Sequence, residues 1–213
     1  LKGLSFSFVK QIFQNGFTSF ILEMSSGLVM FFFNIQILKY IGDVGVTMYG
    51  VIANTAIVVT CLCNGINQAS QPIISINHGA GQHERIHVVK KLGLRTAFLI
   101  CSVPAILGLI VPNMFTNIFL NPNAEILALS PTAIRIYFMG FFVIGINMFI
   151  VGYFQSTVKP QISLFLCLMK SCVLSIVFVY ILPLFLGITG IWAAVPLAEF
   201  ITLGLGIYFL KRR

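Results

Sequence analysis

The fold is decided by the stretch ISLFLCLMKSCVLSIVFVYILPLFLGITGIWAAVPLAEFITLGLGIYFLKRR, residues 162–213. It holds two apolar runs, 162–186 and 191–210, joined by Gly187-Ile188-Thr189-Gly190 and closed by Lys211, Arg212 and Arg213. Each run meets the requirement of about 20 predominantly apolar residues for an α-helix that crosses the hydrocarbon of a bilayer. The glycine-bounded link is a turn, so the second helix returns antiparallel to the first.

The same pattern recurs upstream, with apolar runs near 17–38, 46–71, 92–111 and 128–154. Breakers lie between them at Gly42 to Gly45, at Pro112 to Pro131 with Asn-Pro-Asn at 121–123, and at Lys159-Pro160. The expected fold is all-α and polytopic: a lead-in over 1–16, a six-helix transmembrane lobe over 17–210 and a basic tail over 211–213. Leu4 to Asn15 alternates apolar and polar residues at helical spacing and reads either as an interfacial helix or as an extension of the first span.

Composition agrees. Of 213 residues, 58% are apolar and 8% charged, against about 25% charged in soluble domains. The net charge of +8 does not point to nucleic acid, because the basic residues flank apolar runs instead of covering one face. Ten of the 13 Lys and Arg residues are Lys2, Lys10, Arg85, Lys90, Lys91, Arg95, Lys159, Lys211, Arg212 and Arg213. All ten fall on one side if six spans alternate. The positive-inside rule makes that side cytoplasmic, with both termini and the 72–91 and 155–161 loops. The first residues lack the pattern of a cleaved signal peptide, so the first helix acts as the insertion signal or follows further sequence. Short loops without N-x-[ST] in the outer connections fit a bacterial-type cell membrane.

Cys61, Cys63, Cys101, Cys167 and Cys172 lie in apolar runs without metal-site spacing and read as buried free thiols. His78, His83 and His87 lie in a basic loop with only Glu84 as acidic company and read as solvated, not as a metal site. No GxSxG, HExxH, Walker loop or paired-carboxylate motif is present, and an enzyme is not expected.

Ionisable groups inside spans cost about 2.5–3.5 kcal/mol at the bilayer centre, and each needs a partner, a wet cavity or a function. Glu23 shares a helical stripe with Ser19, Gly27, Met30 and Asn34. Such a carboxyl can carry a proton and release it as a cation or water approaches, which is the minimal chemistry of a coupling site. A hydrogen-bonded structural carboxyl is the alternative. Lys170 and Glu199 fall on adjacent antiparallel spans at depths of about 12 and 16 Å from the inner end, taking about 1.5 Å per residue. They are expected to meet as an ion pair holding the last two spans together. Arg135, near the outer end of its span, is expected to snorkel.

The second span aligns Asn54, Cys61, Gly65, Gln68 and Pro72, with Asn64 and Gln71 beside them. The fourth aligns Tyr137, Gly140, Asn147 and Gln155. Amides of this kind serve as helix-to-helix glue or as cavity lining. Asn34, Asn54, Gln68, Gln71, Tyr137 and Asn147 are the expected cavity residues.

GINQASQPIISINHGAGQHERI at 65–86, GYFQSTVKPQISLFL at 152–166 and ILPLFLGITGIWAAVPLAEFIT at 181–202 resemble the C-terminal lobe of MATE (multidrug and toxic compound extrusion) transporters. The resemblance implies helices seven to twelve of a twelve-helix fold and a partner N-terminal six-helix lobe. It also implies H⁺ or Na⁺ as coupling ion with no other cofactor, and export of amphipathic or cationic compounds by rocking of the two lobes. Glu23 is similar to the helix-seven acidic residue tied to coupling, and Asn54, Gln71 and Asn147 match polar positions of helices eight and ten. The helix-ten aspartate of some members is absent. Two rivals stay open: a lipid or lipid-linked oligosaccharide flippase of the same superfamily, and a truncated, non-transporting membrane fragment.

Overall fold

The computed structural model describes Met24, residues 27–157 and residues 159–212. Glu23, Ser19, the 4–15 segment and the start of the first expected span lie outside the described residues. Among those described, the regular elements are helices. They are α1 (Gly27–Tyr40), α2 (Asp43–Gly79), α3 (His83–Ile110), α4 (Pro112–Phe119), α5 (Ala124–Phe138), α6 (Phe141–Ser156), α7 (Pro160–Leu168), a π-helical turn (Met169–Leu174), α8 (Ser175–Leu186) and α9 (Ile188–Lys211).

Five helical stretches are long and apolar enough to cross a membrane: α2, α3, the joined α5 and α6 (Ala124–Ser156), the joined α7 and α8 (Gln161–Leu186), and α9. The part of α1 described is a shorter apolar helix. The chain is a multi-pass membrane protein. Many of its large apolar side chains are exposed, among them Phe185 at 80% and Leu184 and Ile76 at 72%, as suits a surface that meets hydrocarbon. A helical bundle is the required solution, because in hydrocarbon each backbone N–H and C=O must find its partner within its own segment.

Two apolar cores stack along the bundle. One gathers Phe33, Ile37, Ile52, Phe138, Phe141 and Trp192; the other gathers Ile74, Ile86, Phe149, Ile150, Tyr153 and Phe154. Glycine turns fall where the sequence places them: Gly42 and Gly187 have φ of 81° and 58°, a region open mainly to residues without a Cβ.

The expected 72–91 loop is different. α2 continues through Pro72 to Gly79 and α3 begins at His83, leaving a tight turn at Ala80–Gln82 with Gly81 at φ 70°. Proline's local penalty is overridden because Ile74, 1% exposed, is anchored in the second core. Pro104, Pro131, Pro183 and Pro196 likewise sit inside helices. The fourth expected span is two helices broken at Met139 and Gly140, where a Cβ on Gly140 would lie 3.2 Å from the Pro196 Cα of α9. Nor are the thiols uniformly buried: Cys63 and Cys101 are, with sulfurs 3.0 Å apart, whereas Cys61 is exposed on the outer face of α2.

α3 and α6 approach closely at Gly145, whose added Cβ would lie 2.6 Å from Cys101 Sγ and 2.9 Å from the Ala97 carbonyl. Overpacking of this kind costs about 1–3 kcal/mol. Gly145→Val is expected to lower the thermal unfolding temperature of the detergent-solubilised protein, while Gly204→Val, with nothing within 4 Å, leaves it unchanged; equal behaviour of the two would refute the packing account.

Candidate functional site, a polar cavity among α2, α6, the π turn and α9

A cavity of about 350 Å³ opens beside the second core, that of Phe149 and Ile150. α2 supplies Asn64, Asn67, Gln68 and Gln71, one stripe at helical spacing. α6 supplies Asn147, Gly152 and Gln155, the α7 end and π turn supply Cys167, Lys170 and Ser171, and α9 supplies Thr202. Gly152 leaves room for the amides: a Cβ there would stand 2.8 Å from Asn67 Oδ1 and 3.2 Å from Gln71 Nε2.

Behind the Lys170 and Asn147 side of the cavity lies a charged cluster. Glu199, midway along α9 and 1% exposed, holds Lys170 Nζ at 2.7 Å from its Oε1. Asn147, 2% exposed, donates from Nδ2 to Glu199 Oε2 at 2.7 Å and to the Glu199 carbonyl at 2.8 Å. Both carboxylate oxygens therefore face a donor, one of them charged. Asn147 Oδ1 has no hydrogen-bond partner, which leaves a buried acceptor beside the cavity. A second tie, Asn67 Nδ2 donating to the Met148 carbonyl at 3.1 Å, fastens α2 to α6.

The π turn sets the position of Lys170. A π-helical segment carries an extra residue per turn and is frequent at functional sites. Here Ser175 Oγ donates to the Lys170 carbonyl at 2.7 Å, five residues back. The side chain of Lys170 is 23% exposed and that of Glu199 1%, so the ammonium is the half of the pair that reaches the cavity. Lys170 gives the lining its formal charge, which Glu199 neutralises from behind, and the amides both donate and accept.

Of the residues expected to line a cavity, Gln68, Gln71 and Asn147 do so. Three are placed elsewhere. Asn34 on α1 donates to its own helix at the Met30 carbonyl, 3.0 Å. Asn54 is exposed on α2. Tyr137 packs in the first core, its ring centroid 6.1 Å from that of Phe141. Glu23 lies outside the described residues. Lys170 and Glu199 meet as the ion pair expected from the sequence; Lys170 also lines the cavity, with Glu199 buried behind it. Asn67, Ser171 and Thr202 were not singled out; the signal for Asn67 was its place four residues before Gln71. Arg135 does not only snorkel, because its Nε donates to the Leu109 carbonyl at 3.2 Å. Among the described residues, no three His, Cys, Asp or Glu side chains are grouped to hold a metal.

The architecture is one of membrane-length helices around a polar cavity with a buried ion pair at its side. The chain belongs to the MatE family, whose model matches residues 17–181. It is similar to the outward-facing structure of a multidrug resistance MATE family transporter of the MOP superfamily, with 21% identity and a TM-score of 0.88 over 100% of this chain and 48% of that one. An inward-facing structure of such a transporter gives 18% and 0.87 over 99% and 49%. A MOP superfamily transporter from Pyrococcus furiosus gives 20% and 0.88 over 99% and 48%. No curated protein sequence matches the chain. The chain spans about half the length of the solved relatives it matches.

Removing one partner of a buried ion pair costs about 3–5 kcal/mol, whereas replacing both by apolar residues is often neutral. Lys170→Met alone is expected to destabilise the solubilised protein strongly, and the double variant Lys170→Met/Glu199→Leu to recover most of the loss. Additive losses in thermal unfolding would show that the two side chains do not act as a pair.

Proposed function

We propose that the chain is the C-terminal lobe of a cation-coupled efflux antiporter that exports amphipathic or cationic compounds across the cell membrane. The observation that carries this reading is the amide-lined cavity with the Lys170–Glu199 pair in its wall, at mid-helix depth. A polar surface with an ionisable pair inside spanning helices is costly, and such groups mark substrate and ion pathways.

In the proposed cycle Gln68, Gln71 and Gln155 meet the polar atoms of the solute, and its apolar body lies against Met148 and Val151. H⁺ or Na⁺ enters at Glu23, and its binding and release bias the lobe between two orientations. The similar TM-scores to outward-facing and inward-facing relatives, 0.88 and 0.87, support a lobe that moves as one body. Alternating access is then rocking of this lobe against an N-terminal partner lobe. The basic ends face the cytoplasm in this reading.

The test is gradient-driven efflux of a fluorescent cationic dye from proteoliposomes. Co-expression with an N-terminal lobe is expected to give transport, Glu23→Gln to abolish it with insertion intact, and Gln68→Leu/Gln71→Leu to slow it. Unchanged efflux in Glu23→Gln would remove the coupling role, and no transport in any combination would overturn the antiporter reading.

A further inference from the structure

The three histidines are not scattered over a solvated loop. His78 in the last turn of α2, and His83 and His87 in the first two turns of α3, line one pocket of about 510 Å³ with Lys90. Its floor is apolar, made by Ile86, which is 5% exposed, and by Leu210 near the end of α9. Lys90 is held in place, its Nζ 5.7 Å from the centroid of the Tyr153 ring, which also lines the pocket.

We infer that this pocket binds the phosphate group of an anionic phospholipid. Four nitrogen-bearing side chains converge on one concavity, and an imidazole donates N–H to a phosphate oxygen whether neutral or charged. A metal is the other ligand histidines suggest, but among the described residues no group of three ligating side chains has the required grouping. The surrounding field is positive: Arg85, Lys91 and Arg95 share α3 with Lys90, Lys211 and Arg212 end α9, and Glu84, the acidic residue of the corner, does not line the pocket.

A lipid is favoured over a free anion by the floor and the location. The pocket lies at the end of the helix bundle where basic residues gather, at headgroup depth for helices of membrane length. Its polar rim suits a phosphate, and Ile86 and Leu210 suit the adjoining glycerol and acyl carbons. Like-charged groups otherwise crowded at this corner would gain a shared counterion. The inference rests on the multi-pass membrane reading, not on transport, so it stands or falls separately from the efflux assay.

The experiment is native mass spectrometry of the purified chain equilibrated with an equimolar mixture of phosphatidylglycerol and phosphatidylcholine. Retention of phosphatidylglycerol over phosphatidylcholine is expected. The ratio should fall by about fivefold, the worth of one basic group near an anionic surface, in Lys90→Met and in His78→Leu/His83→Leu/His87→Leu, which remove the N–H donors. The histidine variant keeps the Lys90–Tyr153 contact, so its result does not depend on that packing. Arg85→Gln, in the same corner but outside the lining, should leave the ratio unchanged. An unaltered ratio in the histidine variant, or an equal fall in Arg85→Gln, would overturn the site. Displacement of phosphatidylglycerol by millimolar inorganic phosphate would overturn the lipid assignment in favour of a free anion.

Discussion

A carboxylate midway along a membrane-length helix must find its partners inside the protein. Glu199 finds Lys170 from the π turn and Asn147 from α6, and that requirement draws three separate helices to one point. The polar cavity follows from it. Once the ammonium and the amide are committed to Glu199, the amides of α2 close the opposite wall, with Asn67 tied to the α6 backbone. Gly152 is the clearance that lets α2 and α6 come together there.

Much of the fold was legible because bilayer physics is severe: about 20 apolar residues per span, breakers between, basic residues on one side. What the run lengths did not reveal were the ends and breaks of helices. The apolar run of the second span stops near residue 71, yet α2 continues through Pro72, with Ile74 buried in the second core, to the histidine corner. Met139 and Gly140 lie in a continuous apolar run, and the break depends on the close approach of Pro196 from α9, a contact that no local pattern reports.

The site was legible in part, for a similar reason. Helical spacing places Gln68 and Gln71 on one side of α2, and adjacency of the last two spans places Lys170 opposite Glu199. Spacing does not say which stripe faces which. Asn34 and Asn54 have the same chemistry as Gln68 but do not line this cavity: Asn34 donates to its own helix, Asn54 is exposed on α2, and Tyr137 is taken up by aromatic packing. The π turn that aims Lys170 has no signature in composition, although Ser175 five residues on is the side chain that stabilises it. At the histidine corner the residues were evident and their convergence was not, because it depends on α2 and α3 meeting in a three-residue turn.

The central claim is that an aqueous polar cavity lies within the membrane-embedded lobe, walled by the Glu199 cluster. Its most direct measurement is labelling by a membrane-impermeant thiol reagent in intact vesicles, with single cysteines introduced in a background whose five native cysteines are replaced by alanine. Cysteines at positions 68 and 155 are predicted to react from one side of the membrane, while one at position 99, where exposed Leu99 stands mid-span on α3, stays unreactive. Inert positions 68 and 155 in a correctly inserted protein, or reaction at position 99 as fast as theirs, would contradict the account.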